Sequence, residues 1–161
     1  MTATLDRPAL AQEATACRSL YVTPELLRQL LSYDPGTGKF LWRERPREMF
    51  ANARAQGAWN SRCAGKEAFT ADNGHGHRKS RIFGAGHYAH RVAWAYVHGS
   101  WPDGDIDHIN GDPGDNRICN LRVVTHAENM RNMKLPARNT SGVCGVYQHK
   151  PSGKWVAAIK A

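Results

Sequence analysis

The stretch IDHINGDPGDN, Ile106 to Asn116, sets a histidine directly after an aspartate and then continues into a loop of glycines and acids. IDHI, residues 106–109, predicts a short strand, and NLRVV, residues 120–124, predicts a second strand after the loop. Neighbouring strand residues point to opposite faces, so Asp107 and His108 cannot both face one point on an ideal strand. We therefore expect the strand to end or twist at this pair.

A helix is predicted on each side of the two strands. Upstream, HYAHRVAWAYVHG, residues 87–99, repeats apolar residues at three- and four-residue spacing and ends on a glycine suited to a helix C-cap. Downstream, Thr125 and Glu128 have the spacing of a capping box, which predicts a helix start at Thr125. Helix, strand, loop, strand and helix thus follow one another in a small α+β unit.

Charge is distributed unevenly along the chain. Its 161 residues carry a formal net charge of +8, which favours a polyanion such as nucleic acid as the partner. Residues 100–128 reverse this balance, because only Arg117 and Arg122 oppose the acids Asp103, Asp105, Asp107, Asp112, Asp115 and Glu128. An acidic segment between basic arms suggests a cation site within an anion-binding surface, with a solvated acidic loop as the alternative.

The composition also restricts the class of protein. The cysteines at positions 17, 63, 119 and 144 form no CxxC pair, which disfavours a zinc ribbon or a disulfide framework and favours a reducing cytoplasm. No apolar run approaches the roughly 20 residues that a membrane-spanning helix needs. We expect no membrane partner and no small-molecule cofactor.

The first half of the chain carries weaker signals. Residues 1–20 are rich in Ala and Thr, lack hydrophobic periodicity and are expected to be disordered. Thr23, followed by a proline, predicts a helix start, and the leucines after it continue the helix to near Ser32. Lys39–Trp42 predicts a strand. Residues 43–86 show no sustained period, and the sequence assigns them no element.

The segment HRVAWAYVHGSWPDGDIDHINGDPGDNRICNLRVVTHAENMRN resembles the core of an HNH endonuclease of the phage and homing type. The resemblance covers residues 89–132 and rests on Asp107 and His108, followed by Asn120 and Asn129 at the expected separations. It implies a ββα-metal motif, also called a His-Me finger, at about residues 105–132. We expect this motif to lie within a nuclease domain spanning residues 21–132.

The chemistry of phosphodiester hydrolysis suits these residue types. It needs an activated water, a cation beside the phosphate and a way to stabilise the departing oxygen. His108 suits the general base, because the ordinary pKa of histidine lies near neutral pH. The oxygens of Asp107 and Asn129 suit one divalent ion, Mg²⁺ first and Mn²⁺ as the alternative, and no structural zinc is expected. The resemblance implies that Asn120 bonds across the loop and holds the backbone that orients His108.

Polar residues near this set have two interpretations each. His75 and His77 could chelate a metal, although two histidines two apart in a glycine-rich loop are more often exposed bystanders. His90 and Arg91 could pack and form salt bridges or could contact a phosphate. The remaining polar residues of the loop are expected to shape it through Asx turns rather than to bind metal; they are Asp112, Asp115 and Asn116.

The C-terminal segment SGVCGVYQHKPSGKWVAAIKA, residues 141–161, is similar to the opening of an AP2-type DNA-binding domain. A basic linker, residues 133–141, precedes this partial AP2-like hairpin of residues 142–161, which has two strands but neither the third strand nor the helix. Basic and aromatic residues on both sides of the catalytic pair are the predicted DNA contacts: Arg91, Arg117, Arg122, Arg131, Lys134, Arg138, Tyr147, Lys150, Lys154 and Lys160.

These expectations combine into a metal-dependent endonuclease that nicks one strand of double-stranded DNA in a bacterial or phage-infected cell. A non-catalytic DNA-binding regulator that keeps the same fold is the alternative, and an RNA-cleaving nuclease is a third. Only a nuclease predicts that His108→Ala abolishes turnover while leaving nucleic-acid affinity nearly intact. The sequence sets no oligomeric state.

Overall fold

The computed structural model describes residues 22–132, 139–143 and 145–157. Its fold is mixed α+β, as predicted. The described chain divides between Val124 and Thr125 into two compact units. The segment expected to be disordered, residues 1–20, lies outside the described residues.

The first unit opens with a helix and a hairpin. Helix α1, Pro24–Leu30, ends before the expected position at Ser32, because Leu31 already belongs to strand β1, Leu31–Asp34. β1 pairs antiparallel with β2, Lys39–Trp42, which confirms the predicted strand. Leu31 is fully buried in this pairing. Strand pairing and burial thus override the helical spacing of the leucines.

Residues 43–86, to which the sequence assigns no element, are largely structured. Strand β3 extends the β1–β2 sheet, and β4, β5 and β6 form a second three-stranded antiparallel sheet. Helix α2 has no buried residue, so it lacks the apolar periodicity by which a helix is recognised in sequence. The elements are a 3₁₀ turn at Arg47–Met49, α2 at Ala53–Cys63, β3 at Glu67–Ala68, β4 at Ala71–Asp72, β5 at Arg78–Ile82 and β6 at Ala85–Tyr88.

Helix α3, Ala89–His98, confirms the predicted core helix. Gly99 ends it in the left-handed conformation, with φ 74°, as expected for a C-cap glycine. The inner face of α3 packs on side chains from α1, both sheets and the strands that follow. Fully buried residues of this core include Leu27, Leu30, Leu31, Phe40, Ile82, Val92, Ala93 and Ala95.

Two strands close the first unit and carry the candidate site. β7, Asp105–His108, pairs antiparallel with β8, Leu121–Val124. Ile106 and Leu121 join this pair to the hydrophobic core. A 3₁₀ turn at Ile118–Asn120 leads from the intervening loop into β8.

The second unit contains helix α4, His126–Asn132, and a hairpin of β9, Val146–Gln148, and β10, Trp155–Ala157. Strand, loop, strand and helix therefore follow in the order predicted for a ββα motif. The capping box is confirmed, because Glu128 Oε2 accepts from the Thr125 backbone N–H at 2.8 Å and Thr125 Oγ1 accepts from the Glu128 N–H at 3.3 Å. None of the helices in the described ranges is long and apolar enough to cross a bilayer.

Candidate active site

Strand β7 presents its residues to two different environments. Ile106 and His108 are 8% and 7% exposed, whereas the alternating Asp107 is only partly buried on the other face. The strand ends at His108, as expected, but Asp107 and His108 keep the regular alternation of the ladder and face opposite sides. His108 is thereby left at the end of the strand, inside the unit, just where the loop begins.

Asn120 binds the loop that follows His108. It is 6% exposed, and its Oδ1 accepts from the Asn110 backbone N–H at 3.0 Å. Its Nδ2 donates to Asn110 Oδ1 at 3.0 Å and to the Asp115 carbonyl at 2.9 Å. The Asn120 carbonyl accepts from the Ile109 N–H at 2.9 Å. One buried amide therefore fixes both ends of the loop beside His108, which gives Asn120 the loop contacts that the resemblance implies.

The acids of the loop are engaged within the loop. Asp112 Oδ1 accepts from the Gly114 N–H at 2.8 Å, which is an Asx turn. Asp115 holds the Arg117 guanidinium through contacts of 2.6 and 2.8 Å, and this bond lowers the pKa of the Asp115 carboxyl to about 2. Asn116 donates from Nδ2 to the Gly114 carbonyl at 3.0 Å. These contacts agree with turn formation rather than metal ligation.

The β1–β2 hairpin supports the far end of the loop. Tyr33 Oη donates to the Asn116 carbonyl at 2.8 Å. Gly38 lies so close that an added Cβ would stand 2.5 Å from the Arg117 nitrogen, and its φ is 72°. Only glycine meets both conditions at this position. The N-terminal hairpin therefore helps to set the position of the loop.

Three histidines lie close together on the inner side of the loop between β7 and β8. The ring centres of His77, His90 and His108 lie 5.0 Å (His77–His90), 5.6 Å (His77–His108) and 5.3 Å (His90–His108) apart. One donor atom of each lies within 4.8 Å of the other two, so the three rings could hold a metal ion. His77 comes from the loop between β4 and β5, His90 from the first turn of α3 and His108 from the end of β7.

Burial disfavours the protonated, charged form of all three rings. It lowers the pKa of His90 to about 3, and the positive charges that His108, His77 and Arg91 can carry act in the same direction. Burial also lowers the pKa of His77 and of His108. Burial thus favours neutral imidazole, which is the form that accepts a proton or a metal ion.

The loop between β4 and β5 is built to bring His77 inward. Asn73 Oδ1 accepts from the backbone N–H groups of His75 and His77 at 2.8 and 3.2 Å. Gly76 has φ 86°, and an added Cβ there would lie 2.6 Å from Pro113 Cγ. The β4–β5 loop and the loop between β7 and β8 therefore pack directly on each other. His75 is exposed, as expected for a bystander, but His77 is not.

Asp107 forms an ion pair with the residue opposite it in the strand ladder. Arg122 lies across from Asp107, and its Nε and Nη2 donate to Asp107 Oδ2 at 2.9 and 2.6 Å. The Asp107 side chain is 16% exposed. Asn129, the second predicted metal ligand, belongs to α4 in the second unit. The metal set of Asp107 and Asn129 stays a prediction.

The predicted DNA contacts fall into four groups. Arg91 donates to the carbonyls of Gly104 and Pro102 at 2.9 and 3.0 Å, so its guanidinium holds the segment before β7. Arg117 and Arg122 are paired with acids, as described above. Exposed positions in the second unit comprise Arg131, Tyr147, Lys150 and Lys154, whereas Lys134, Arg138 and Lys160 lie outside the described residues.

The histidine cluster is the feature that sequence patterns did not reveal. His77 and His90 lie 31 and 18 residues before His108, so no local spacing links them. A signal was present in Gly76, because a glycine next to a histidine allows close approach of another backbone segment. The burial of the rings depends on the packing of α3 and the loops, which the sequence does not specify locally.

The segment that carries this site is similar in sequence to known proteins. Residues 87–131 match the family model of the HNH endonucleases. Protein 3.8 of Escherichia phage T7 is 38% identical over 73 residues, which cover 45% of this chain and 60% of that protein. No solved structure matches the chain. Residues 87–131, which contain His90, Asp107, His108 and Asn120, are therefore similar in sequence to the HNH endonucleases.

Proposed function

We propose that this protein is a metal-dependent endonuclease that hydrolyses phosphodiester bonds in double-stranded DNA. The observation that carries the proposal is His108, a buried histidine at the end of β7 whose following loop is held by Asn120 and whose pKa is lowered by burial. It lies within the segment that matches the HNH endonucleases. A neutral imidazole fixed in this way can accept the proton of an attacking water.

Asn120 acts in this mechanism as a positioning residue. Its bonds to Asn110 and Asp115 hold the loop in one conformation. Since the loop starts directly after His108, a fixed loop keeps the imidazole in one orientation towards the scissile phosphate. Geometric precision of this kind makes a large contribution to rate, because a displacement of about 1 Å can cost about a hundredfold.

Asp107 and Asn129 are the proposed ligands of one Mg²⁺ ion, for which Mn²⁺ can substitute. Their carboxylate and amide oxygens form a donor set that suits a hard cation. In this structure the Asp107 carboxylate is paired at Oδ2 with the Arg122 guanidinium, so a cation bound there would take the place of that positive charge. When bound, the ion would neutralise charge that develops on the phosphate during hydrolysis.

Charge favours DNA as the substrate. The net charge of +8 and the exposed cations of the second unit supply attraction for a phosphate backbone. Tyr147 and Lys154 belong to the C-terminal hairpin, which we propose as an AP2-like contact surface beyond a nuclease domain of residues 21–132. A single site cleaves one strand per binding event, so nicking is the proposed outcome. The proposed setting is the cytoplasm of a bacterial or phage-infected cell.

A second candidate is a DNA-binding regulator that does not cleave. The observations that favour it are the low exposure of His108, 7%, and the ion pair that occupies Asp107. In that case the same fold and charge would serve binding alone. Both candidates predict DNA affinity that falls with salt, so affinity does not separate them.

Conversion of supercoiled plasmid to the open-circle form separates the two candidates. The full chain is incubated at low salt with Mg²⁺ or Mn²⁺, and parallel samples contain EDTA. The nuclease predicts open circles that depend on the metal and precede any linear product. Binding without cleavage in either metal would contradict the nuclease and favour the regulator.

A further inference from the structure

His77, His90 and His108 each carry one buried ring nitrogen that makes no hydrogen bond by geometry within the described residues, and Asn116, whose Oδ1 is likewise buried without a partner, lies beside His108. The three ring nitrogens are His77 Nδ1, His90 Nδ1 and His108 Nε2. An unsatisfied buried polar atom is unfavourable, because it has lost its hydrogen bonds to water without gaining others. Three such atoms on three neighbouring rings indicate that they share a missing partner.

The spacing of the rings fits a single metal ion. A tetrahedral ion with bonds of about 2.0 Å to imidazole nitrogen places the centres of its ligand rings about 5 Å apart. The three observed separations are 5.0, 5.3 and 5.6 Å. The candidate donor atoms all lie within 4.8 Å of one another, so small rotations of the side chains bring them to one ion.

The three rings are held by structure that does not depend on an ion. The backbone N–H of His77 donates a hydrogen bond to Asn73 Oδ1, and the adjacent Gly76 lies close to Pro113. These contacts fix the position of His77. His90 is part of the first turn of α3, and His108 closes β7. Ligands that are positioned in advance lose little conformational freedom when they bind.

The donor set differs in kind from the proposed catalytic site. It offers three neutral nitrogens, a set that suits Zn²⁺, Co²⁺ or Ni²⁺ better than Mg²⁺. Asp107 is absent from the cluster and is paired with Arg122. Three histidines also leave a fourth position of a tetrahedral ion open to water or an anion.

We propose that His77, His90 and His108 bind one transition-metal ion of the Zn²⁺ type, at a site separate from the Asp107 carboxylate. The ion and a proton compete for the ring of His108. If His108 is the general base of the proposed nuclease, an ion at this site withdraws that base and suppresses cleavage. The binding site itself stands independently of the nuclease activity.

Calorimetric titration of the metal-stripped full chain with Zn²⁺ tests the site without any DNA. The native chain is expected to bind one ion, and His77→Ala and His90→Ala are expected to lower the affinity at least about tenfold. His98→Ala serves as the matched control, because His98 is an exposed histidine at the opposite end of α3 from His90. Its affinity should equal that of the native chain.

Two further variants separate this site from other Zn²⁺ ligands. Asp107→Asn should still bind an ion at the histidine cluster, because the carboxylate is not among the three ligands. A variant with Cys63→Ser and Cys119→Ser should keep the native affinity, since these free thiols lie elsewhere in the first unit. Loss of binding in either variant, or equal binding by the native chain and His77→Ala, would overturn the proposal.

The absorption spectrum of bound Co²⁺ covers the case in which His90→Ala fails to fold. Nitrogen ligation by the native chain predicts the visible bands of four-coordinate Co²⁺ without a sulfur charge-transfer band. A sulfur band, or the spectrum of fully hydrated Co²⁺, would contradict the site. Because neither measurement involves cleavage, this proposal and the nuclease proposal succeed or fail separately.

Discussion

Asn120 is the residue on which the geometry of the candidate site depends most. Its side-chain oxygen and nitrogen make three hydrogen bonds to Asn110 and Asp115, directly after the strand that ends with His108. Aspartate has nearly the same shape but cannot donate to the Asn110 oxygen and the Asp115 carbonyl. The amide is therefore required for its donors as well as for its shape.

Asn120→Ala is expected to lower the nicking rate about tenfold to a hundredfold and the free energy of unfolding by about 1–3 kcal/mol. The loss arises because Asn110 and Asp115 lose their partner and the loop after His108 is released. Nicking rate, duplex affinity and denaturant unfolding provide the three readings.

The matched control for this variant is Asn52→Ala. Asn52 caps α2 by accepting from the Ala55 N–H at 2.8 Å, and its loss is expected to cost about 1 kcal/mol of stability. The control should nick at the native rate. Equal nicking by Asn120→Ala and the native chain would exclude the positioning role.

Asp115 predicts an effect of pH on stability. Its bonds to Arg117 lower the pKa of the carboxyl from an ordinary 3.8 to about 2 in the folded protein. The folded state thus favours the ionised form, and this stabilisation is present above about pH 4 and lost as the pH falls towards 2. Asp115→Asn should therefore be less stable than the native chain at pH 5, with a difference that shrinks towards pH 2.

Thermal unfolding across this pH range measures the effect of Asp115. Asp103→Asn, at an exposed position between α3 and β7, is the control and should show a much smaller difference. A difference between native and Asp115→Asn chains that is constant from pH 5 to 2 would show that the carboxylate does not act through its charge.

At the scale of elements, the sequence predicts those parts whose signals are local. α3 has an apolar face and a terminal glycine, and the start of α4 has the Thr125–Glu128 capping box. β7 and β8 are predicted from the stretches around His108 and Leu121. In each case the evidence lies within about a dozen residues of chain.

Other elements depend on partners that are distant in sequence. α1 stops at Leu30 because Leu31 pairs with Trp42, and no residue of helix α2 is fully buried. The histidine cluster joins three elements, and only packing buries its rings. Such features follow from tertiary structure, which local periodicity does not encode.

Helix α4 carries Asn129, a proposed Mg²⁺ ligand. The stability of this helix should therefore affect the Mg²⁺ concentration that nicking requires. Thr125→Ala removes the cap of this seven-residue helix and is expected to cost about 1 kcal/mol of helix stability. If Asn129 is a ligand of the catalytic ion, more Mg²⁺ is then needed for half-maximal nicking. A Mg²⁺ titration of the nicking rate measures this change.

Thr23→Ala is the matched control for the cap of α4. Thr23 Oγ1 accepts from the Leu26 N–H at 3.2 Å, so the same substitution removes the same kind of cap from α1. The control should lose stability with an unchanged Mg²⁺ requirement. An unchanged requirement in Thr125→Ala as well would argue against metal binding by α4.

At the scale of the whole molecule, the proposed DNA-binding surface predicts how DNA affinity depends on salt concentration. Lys150 and Lys154 are exposed beside the turn of the C-terminal hairpin. If each contacts a phosphate, Lys150→Ala and Lys154→Ala should each lower the slope of log affinity against log salt by about 0.9.

Lys39→Ala is the comparison for these lysines. Lys39 is exposed but paired with Glu67 at 3.2 Å, so it is expected to contribute little to DNA binding. Duplex affinity measured over a series of salt concentrations gives the slopes. Identical slopes for Lys39→Ala and the two hairpin variants would show that the hairpin lysines do not contact DNA phosphates.

The general-base role of His108 is tested most directly by single-turnover nicking and duplex affinity measured on the same His108→Ala protein. We expect the nicking rate to fall about 10²–10⁴-fold while affinity stays close to native, because the base acts on water rather than on DNA binding. His98→Ala, altered at the far end of α3, should match the native chain in both measurements. Native-rate nicking by a folded His108→Ala protein would contradict the assignment of this histidine as the group that activates water.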